Sequence, residues 1–175
     1  MVRVMPRDLV AEIHEGLLRA GPARLKFTRK AFQMIPKLRR PRILDVGCGE
    51  GRPTLELAKL NNGEVIGLDI HQPSLDRLAR RIEEAGLSGR VHVVKGSMLE
   101  MDFPNESFDV IWSEGSIHVI GFERGLDEWR RFIKPKGFLV VHEATWPRRE
   151  PPQELYEHWR GRDQGVRTTS GDIDA

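Results

Sequence analysis

The chain has 175 residues, with 28 Lys and Arg against 26 Asp and Glu, leaving a net charge of only +2. That is one domain's length, enough to bury a core, and the balanced charge gives no case for a nucleic-acid partner, whose phosphates need concentrated positive charge. A lone cysteine excludes an internal disulfide, the first residues lack a signal-peptide core, and no apolar run is long enough for a membrane span, so a soluble cytoplasmic protein is expected.

Residues 8–20 read as an amphipathic helix: Leu9, Ile13, Leu17 and Leu18 recur near helical spacing, and Asp8 is placed to cap it. Gly21-Pro22 stops it. A second helix over 26–35 carries Phe27, Ala31, Phe32 and Ile35 and ends before Pro36. The basic run 37–42 reads as a solvated linker.

Ile43, Leu44 and Val46 then form a short apolar run bounded by Pro41 and glycines, the pattern of a buried strand. Gly47, Gly49 and Gly51 alternate through a turn, and Leu55, Leu57, Ala58 and Leu60 continue as a helix. Strand, glycine turn and helix make a nucleotide-binding unit, because a bare backbone approaches a ligand closely and the first helical N–H groups point at it. A dinucleotide site needs G-x-G-x-x-G; here the spacing is G-x-G-x-G, with Asp45 inside the strand end. No lysine follows the last glycine, which excludes a P-loop.

Asn61-Asn62-Gly63 is a turn, and 64–70 read as a second strand closing on Asp69. An acid about 20 residues past a glycine loop, at a strand's carboxyl end, can accept both ribose hydroxyls. The helix over 73–85 turns Leu75, Leu78, Ala79 and Ile82 inward, and its basic face of Arg77, Arg80 and Arg81 reads as solvated. A third strand over 91–94 runs into Lys95-Gly96-Ser97-Met98, and a fourth follows Ser107-Phe108-Asp109. Leu126, Trp129, Phe132 and Ile133 mark a helix stopped by Lys134-Pro135-Lys136-Gly137, and 138–143 form a fifth strand. Pro151-Pro152 can open a helix to residue 160, beyond which the chain is polar.

Asp45-Val46-Gly47-Cys48-Gly49-Glu50-Gly51 resembles the first motif of class I S-adenosylmethionine-dependent methyltransferases. Asp69, Ser107-Phe108-Asp109 and the Lys-Pro-Lys-Gly turn extend the resemblance over residues 40–146. Gly21-Pro22, Thr28, Ala31-Phe32 and Ile35-Pro36 resemble the approach segment of the quinone-biosynthesis and small-molecule group within that family. The resemblance implies an α/β, Rossmann-like, doubly wound sheet of about five parallel strands, as one domain overall. An N-terminal helical cap (1–36) would precede the core (37–146) and a C-terminal helix with a polar tail (147–175). The family's terminal antiparallel hairpin is missing from the sequence, which would leave the fifth strand as an edge able to pair with another copy.

By the same resemblance the cofactor is S-adenosylmethionine, with S-adenosylhomocysteine as product and no metal. Asp45, Gly47, Cys48, Gly49 and Gly51 would line its methionine part, Asp69 and Ile70 its ribose side, and Ser97 and Met98 its adenine. Ser97 stands where the family usually has an acid, so its hydrogen bond would lack charge assistance. Ser113, Glu114 and His118 would lie where cofactor and acceptor meet.

Methyl transfer is an in-line displacement that needs alignment and exclusion of water, and a base only where the acceptor must lose a proton. His118 is the candidate base, with Glu114 and Glu143 as second choices; a packing or capping role is the plainer reading of His118. His142, inside a strand, reads as structural. Ser113-Glu114-Gly115-Ser116 replaces the Asn/Asp-Pro-Pro-Tyr that often marks enzymes of nucleic-acid amino groups, which favours a small-molecule acceptor. Trp112, Ile117, Ile120, Phe122 and Trp146 are candidates to line its pocket. Two alternatives stand beside this reading: a non-catalytic S-adenosylmethionine-binding or assembly domain, and a nicotinamide-dependent enzyme, which the glycine spacing disfavours.

Overall fold

The computed structural model describes residues 22–143. The expected helices over 8–20 and from Pro151, the polar tail and Trp146 lie outside them. The described elements run α1 (Pro22–Met34), β1 (Arg42–Val46), α2 (Arg52–Leu60), β2 (Glu64–Asp69), α3 (Gln72–Glu84), β3 (Val91–Lys95), β4 (Phe108–Glu114), a 3-10 turn (Ile117–Val119), α4 (Phe122–Arg130) and β5 (Ile133–His142).

All five strands are parallel, in the order β3-β2-β1-β4-β5. The chain starts in the centre at β1, winds outward to β3, then crosses to β4 on the other side of β1. That reversal places a crevice at the carboxyl ends of β1 and β4, where ligands of such sheets bind. β5 is an edge among the described strands.

Alternation along the strands feeds two cores. Ile43, Val65, Val110 and Trp112 face one layer, with Leu57 and Ala58 of α2 and Leu75, Leu78 and Ile82 of α3. Leu44, Val46, Ile66, Leu68 and Ile111 face the other, with Trp129 of α4, Phe108 and Phe132. Strands buried on both faces read as near-continuous apolar runs, which is why β1, β2 and β4 were recognisable.

Three boundaries differ from the sequence expectation. α1 opens at Pro22 rather than near residue 26, since proline suits the first turn of a helix. α4 ends at Arg130 rather than continuing to Ile133, because Ile133 already pairs with Phe108 as the first residue of β5. The Lys134–Gly137 segment is then a bulge inside β5, not a helix stop: pairing resumes at Val110 with Phe138, and Lys136 takes a φ of 63° to make the detour. Asp109 fixes that register from the other side. It accepts bonds from the Arg42 N–H and the Lys134 ammonium, both at 2.8 Å, so three neighbouring strands are tied at one carboxylate. The basic linker is also less solvated than expected at its end, since Arg42 Nε donates to Glu64 at 2.7 Å.

Candidate cofactor site

The glycine loop leaves β1 and hangs on the end of β2. The N–H groups of Gly47 and Cys48 both donate to the Leu68 carbonyl, at 2.8 and 3.0 Å. Gly47, Gly49 and Gly51 have φ of 72°, 53° and 72°, the left-handed region that glycine enters without steric cost. They differ in surroundings. A Cβ on Gly47 would meet the Ser116 side chain at 2.4 Å, and one on Gly51 would meet Leu78 at 2.1 Å. Among the described residues, a Cβ on Gly49 meets nothing within 4 Å. Two of the glycines are therefore bare because protein fills the space, and the middle one opens on unfilled space.

Asp69 stands beside that opening. Its Oδ2 accepts the Gly49 N–H at 2.8 Å and its Oδ1 accepts the His71 N–H at 2.8 Å. Each carboxylate oxygen retains a further lone-pair site for a hydroxyl. Ile70 follows with 64% of its surface exposed, and Leu99, after the neighbouring strand, is 41% exposed. Exposed aliphatic side chains at two adjacent strand ends offer a flat ring somewhere to lie; the sequence reading had not singled out Leu99. Ser97 Oγ accepts the Leu99 N–H at 3.1 Å, so it shapes this turn and keeps its own proton to donate. Met98 is buried, its carbonyl accepting the Trp129 indole N–H at 3.3 Å.

Several expected contacts instead lie beneath the loop. Asp45 is 1% exposed and accepts the Thr54 hydroxyl at 2.6 Å. Burial pushes its carboxyl up to about 7, against the Thr54 bond and with help from the charges of Glu114 and Asp69. Cys48 is buried, and burial pushes its thiol up, so it is no nucleophile. Ser113 is fully buried. Its hydroxyl pairs with that of Ser116 at 2.8 Å, and Ser116 donates to the Val46 carbonyl at 2.6 Å, which braces the start of the glycine loop.

Glu114 is an anchor in this structure. It accepts the Thr28 hydroxyl of α1 at 2.7 Å and the Trp112 indole N–H at 2.8 Å, and the His142 ring lies 3.9 Å away. Burial works to raise its carboxyl, but the neighbouring His142 ring and the bonds from Thr28 and Trp112 outweigh that and hold it below the usual range. An anion so well satisfied is a poor proton acceptor, which counts against Glu114 as the base. With Arg29 on Glu56, these contacts fasten α1 beside the carboxyl ends of the central strands. His118 lies in the 3-10 turn after β4, its Nδ1 3.0 Å from Glu143 Oε2. Trp112, Ile117 and Ile120 are core residues at 1%, 0% and 3% exposure.

The family model of the methyltransferase domain matches residues 43–137, the span that carries this geometry. The chain belongs to that family. Fold and family together make it a methyltransferase domain on a five-stranded parallel sheet. It is 37% identical over 103 residues to a sterol 24-C-methyltransferase of Aspergillus fumigatus, an alignment covering 58% of this chain and 27% of that protein. The chain thus spans about a quarter of the length of the curated relatives it matches. Among solved structures it resembles the [4+2]-cyclase SpnF, at 28% identity and a TM-score of 0.67, over 77% of this chain and 50% of that one. A methyltransferase of Aquifex aeolicus described as S-adenosylmethionine-dependent shares the fold at 23% identity and a TM-score of 0.63, over 81% and 79% of the two chains. Geranyl diphosphate C-methyltransferase of Streptomyces coelicolor, solved with S-adenosylhomocysteine, shares it at 19% identity and a TM-score of 0.72, over 87% and 56%. Among the described residues no helix is long and apolar enough to cross a membrane.

Proposed function

We propose that this chain binds S-adenosylmethionine and moves its methyl group to a small-molecule acceptor. The observation that carries the reading is the unfilled space at Gly49 beside Asp69, a cradle that a single Cβ would enter. Asp69 would hold the ribose hydroxyls, Ile70 and Leu99 the adenine faces, with Ser97 at the ring's edge. The backbone of Gly47–Gly51 would hold the methionine part. When bound, the cofactor supplies an activated methyl on a sulfonium.

The residues of this chain would then align the acceptor, exclude water and, where needed, take a proton. His118 is our candidate for the last task, supported by its place in the turn after β4. Glu143 at its Nδ1 fixes the ring orientation and stabilises the imidazolium that forms. Glu114 keeps α1 against the site. The sterol and geranyl diphosphate relatives act on small molecules, which supports the same class of acceptor here. The charge balance supports a reading without nucleic acid, the lone cysteine a reducing cytoplasm, and the edge position of β5 a second copy as neighbour.

The cyclase relative favours one other reading, in which the fold does chemistry other than methyl transfer. A thermal-shift titration with S-adenosylmethionine, S-adenosylhomocysteine and NAD, followed by turnover on an acceptor panel, separates the two. Selective stabilisation by the two sulfur compounds is expected. Stabilisation by NAD instead rejects the cofactor assignment, and cofactor binding with no transfer to any acceptor favours the other chemistry. His118→Ala is expected to lose the acidic limb of the pH–rate profile, the rise in rate as a base sheds its proton, for acceptors that must lose a proton; an unchanged profile rejects it as the base.

A further inference from the structure

Glu50 lies between two glycines of the loop, where a side chain pointing at the ligand would be expected. It points instead at α3. Arg81 grips it twice: one guanidinium nitrogen donates to the Glu50 carbonyl and another to its Oε2, each at 2.9 Å. Arg77, one turn earlier on the same helix, places its Nε 2.9 Å from Oε1. Leu78 of that helix fills the space under Gly51 and also lies against Gly67 of β2. Three consecutive contact points of α3 therefore seat the glycine loop, two on charge and one on packing.

The same helix begins directly after Asp69-Ile70-His71. Asp69 holds the Gly49 N–H from one side while α3 holds Glu50 from the other. The spacing between the loop and the ribose acid is thus referenced to one rigid body.

Resting on the cofactor reading above, we propose that the Glu50–Arg77–Arg81 cluster is a positioning clamp that sets affinity for the adenosyl cofactor without touching it. A forked guanidinium that spans a carbonyl and a carboxylate fixes orientation as well as distance, which a lysine cannot do. These groups are about one-third exposed, so the clamp adds little to global stability, and its effect falls on the loop's geometry.

The test is calorimetric titration of the 175-residue chain with S-adenosylhomocysteine, for the wild type, Glu50→Gln, Arg81→Gln, Arg81→Lys and the double variant Glu50→Gln/Arg81→Gln. Either glutamine variant is expected to weaken binding roughly tenfold, and the double variant hardly further, as coupled partners do. Arg81→Lys should lie near Arg81→Gln rather than near the wild type, because charge alone does not rebuild the fork. The unliganded melting temperature is expected to move little. Wild-type affinity in both glutamine variants overturns the clamp, and so does a loss of affinity that adds in the double variant. No binding by the wild type refutes the cofactor reading itself and is recognised before any variant is compared.

Discussion

The three glycines of the loop give a prediction in which stability and binding part company. Alanine at a left-handed position costs about 1–2 kcal/mol from its Cβ against its own backbone. For Gly49→Ala nothing else is added by the described residues, none of which has an atom within 4 Å of the new methyl. For Gly51→Ala the methyl would meet Leu78 Cδ1 at 2.1 Å and Cγ at 2.8 Å, in a side chain with no exposed surface. Overpacking of that kind adds about 1–3 kcal/mol, bringing this variant to roughly 2–5 kcal/mol. Urea unfolding is expected to show Gly49→Ala as the milder lesion. Titration with S-adenosylhomocysteine should show the reverse ranking per unit of stability lost: the Gly49→Ala methyl enters the ligand's space, so affinity falls at least about tenfold in a folded protein. Wild-type affinity in Gly49→Ala would mean that the open space is not the cofactor's. A stability loss larger than that of Gly51→Ala would refute the steric reasoning.

Asp69→Ala is expected to weaken S-adenosylhomocysteine binding by about 1–3 kcal/mol, since a charged acceptor is lost together with its hold on the Gly49 and His71 N–H groups; unchanged affinity by calorimetry removes it from the site. Cys48 should react with a thiol reagent only as fast as the chain unfolds, because burial keeps it protonated; prompt labelling of the native protein contradicts that. Asp45 sets a pH dependence. Its carboxyl titrates near 7 in the fold and near about 4 when unfolded, so between those values the native chain holds a proton that the unfolded chain releases. Stability from this group is therefore present at low pH and lost as pH rises toward 7. Asp45→Asn, which still accepts the Thr54 bond, should flatten that slope, and a wild-type slope in the urea midpoints of the variant counts against the assignment.

What was legible in the sequence shares one property: its signal is local. The run Ile43-Leu44-Asp45-Val46 names a buried strand because consecutive residues feed both cores, and the glycines that follow name a turn because only glycine sits there without strain. Asp69 stood out because strand end and acid coincide. The misread residues are those whose role depends on a partner far along the chain. Arg77 and Arg81 looked like a solvated helix face, since helical spacing says which residues share a face but not what arrives to meet it. What arrives is Glu50, 31 residues before Arg81. Glu114 looked like a base because a carboxylate at a strand end is exposed unless another element covers it, and the element that covers it is α1, whose Thr28 is 86 residues away.

The α4–β5 boundary was misplaced for a related reason. Lys134-Pro135-Lys136-Gly137 has the composition of a turn and is one, but the pairing of Ile133 with Phe108 puts that turn inside a strand. In each case the local preference was obeyed and its meaning was set by a contact made across the sheet. The residues proposed to hold the cofactor could therefore be named in advance, being mostly backbone and one strand-end acid. The groups that hold that backbone at its working distance had to be seen assembled.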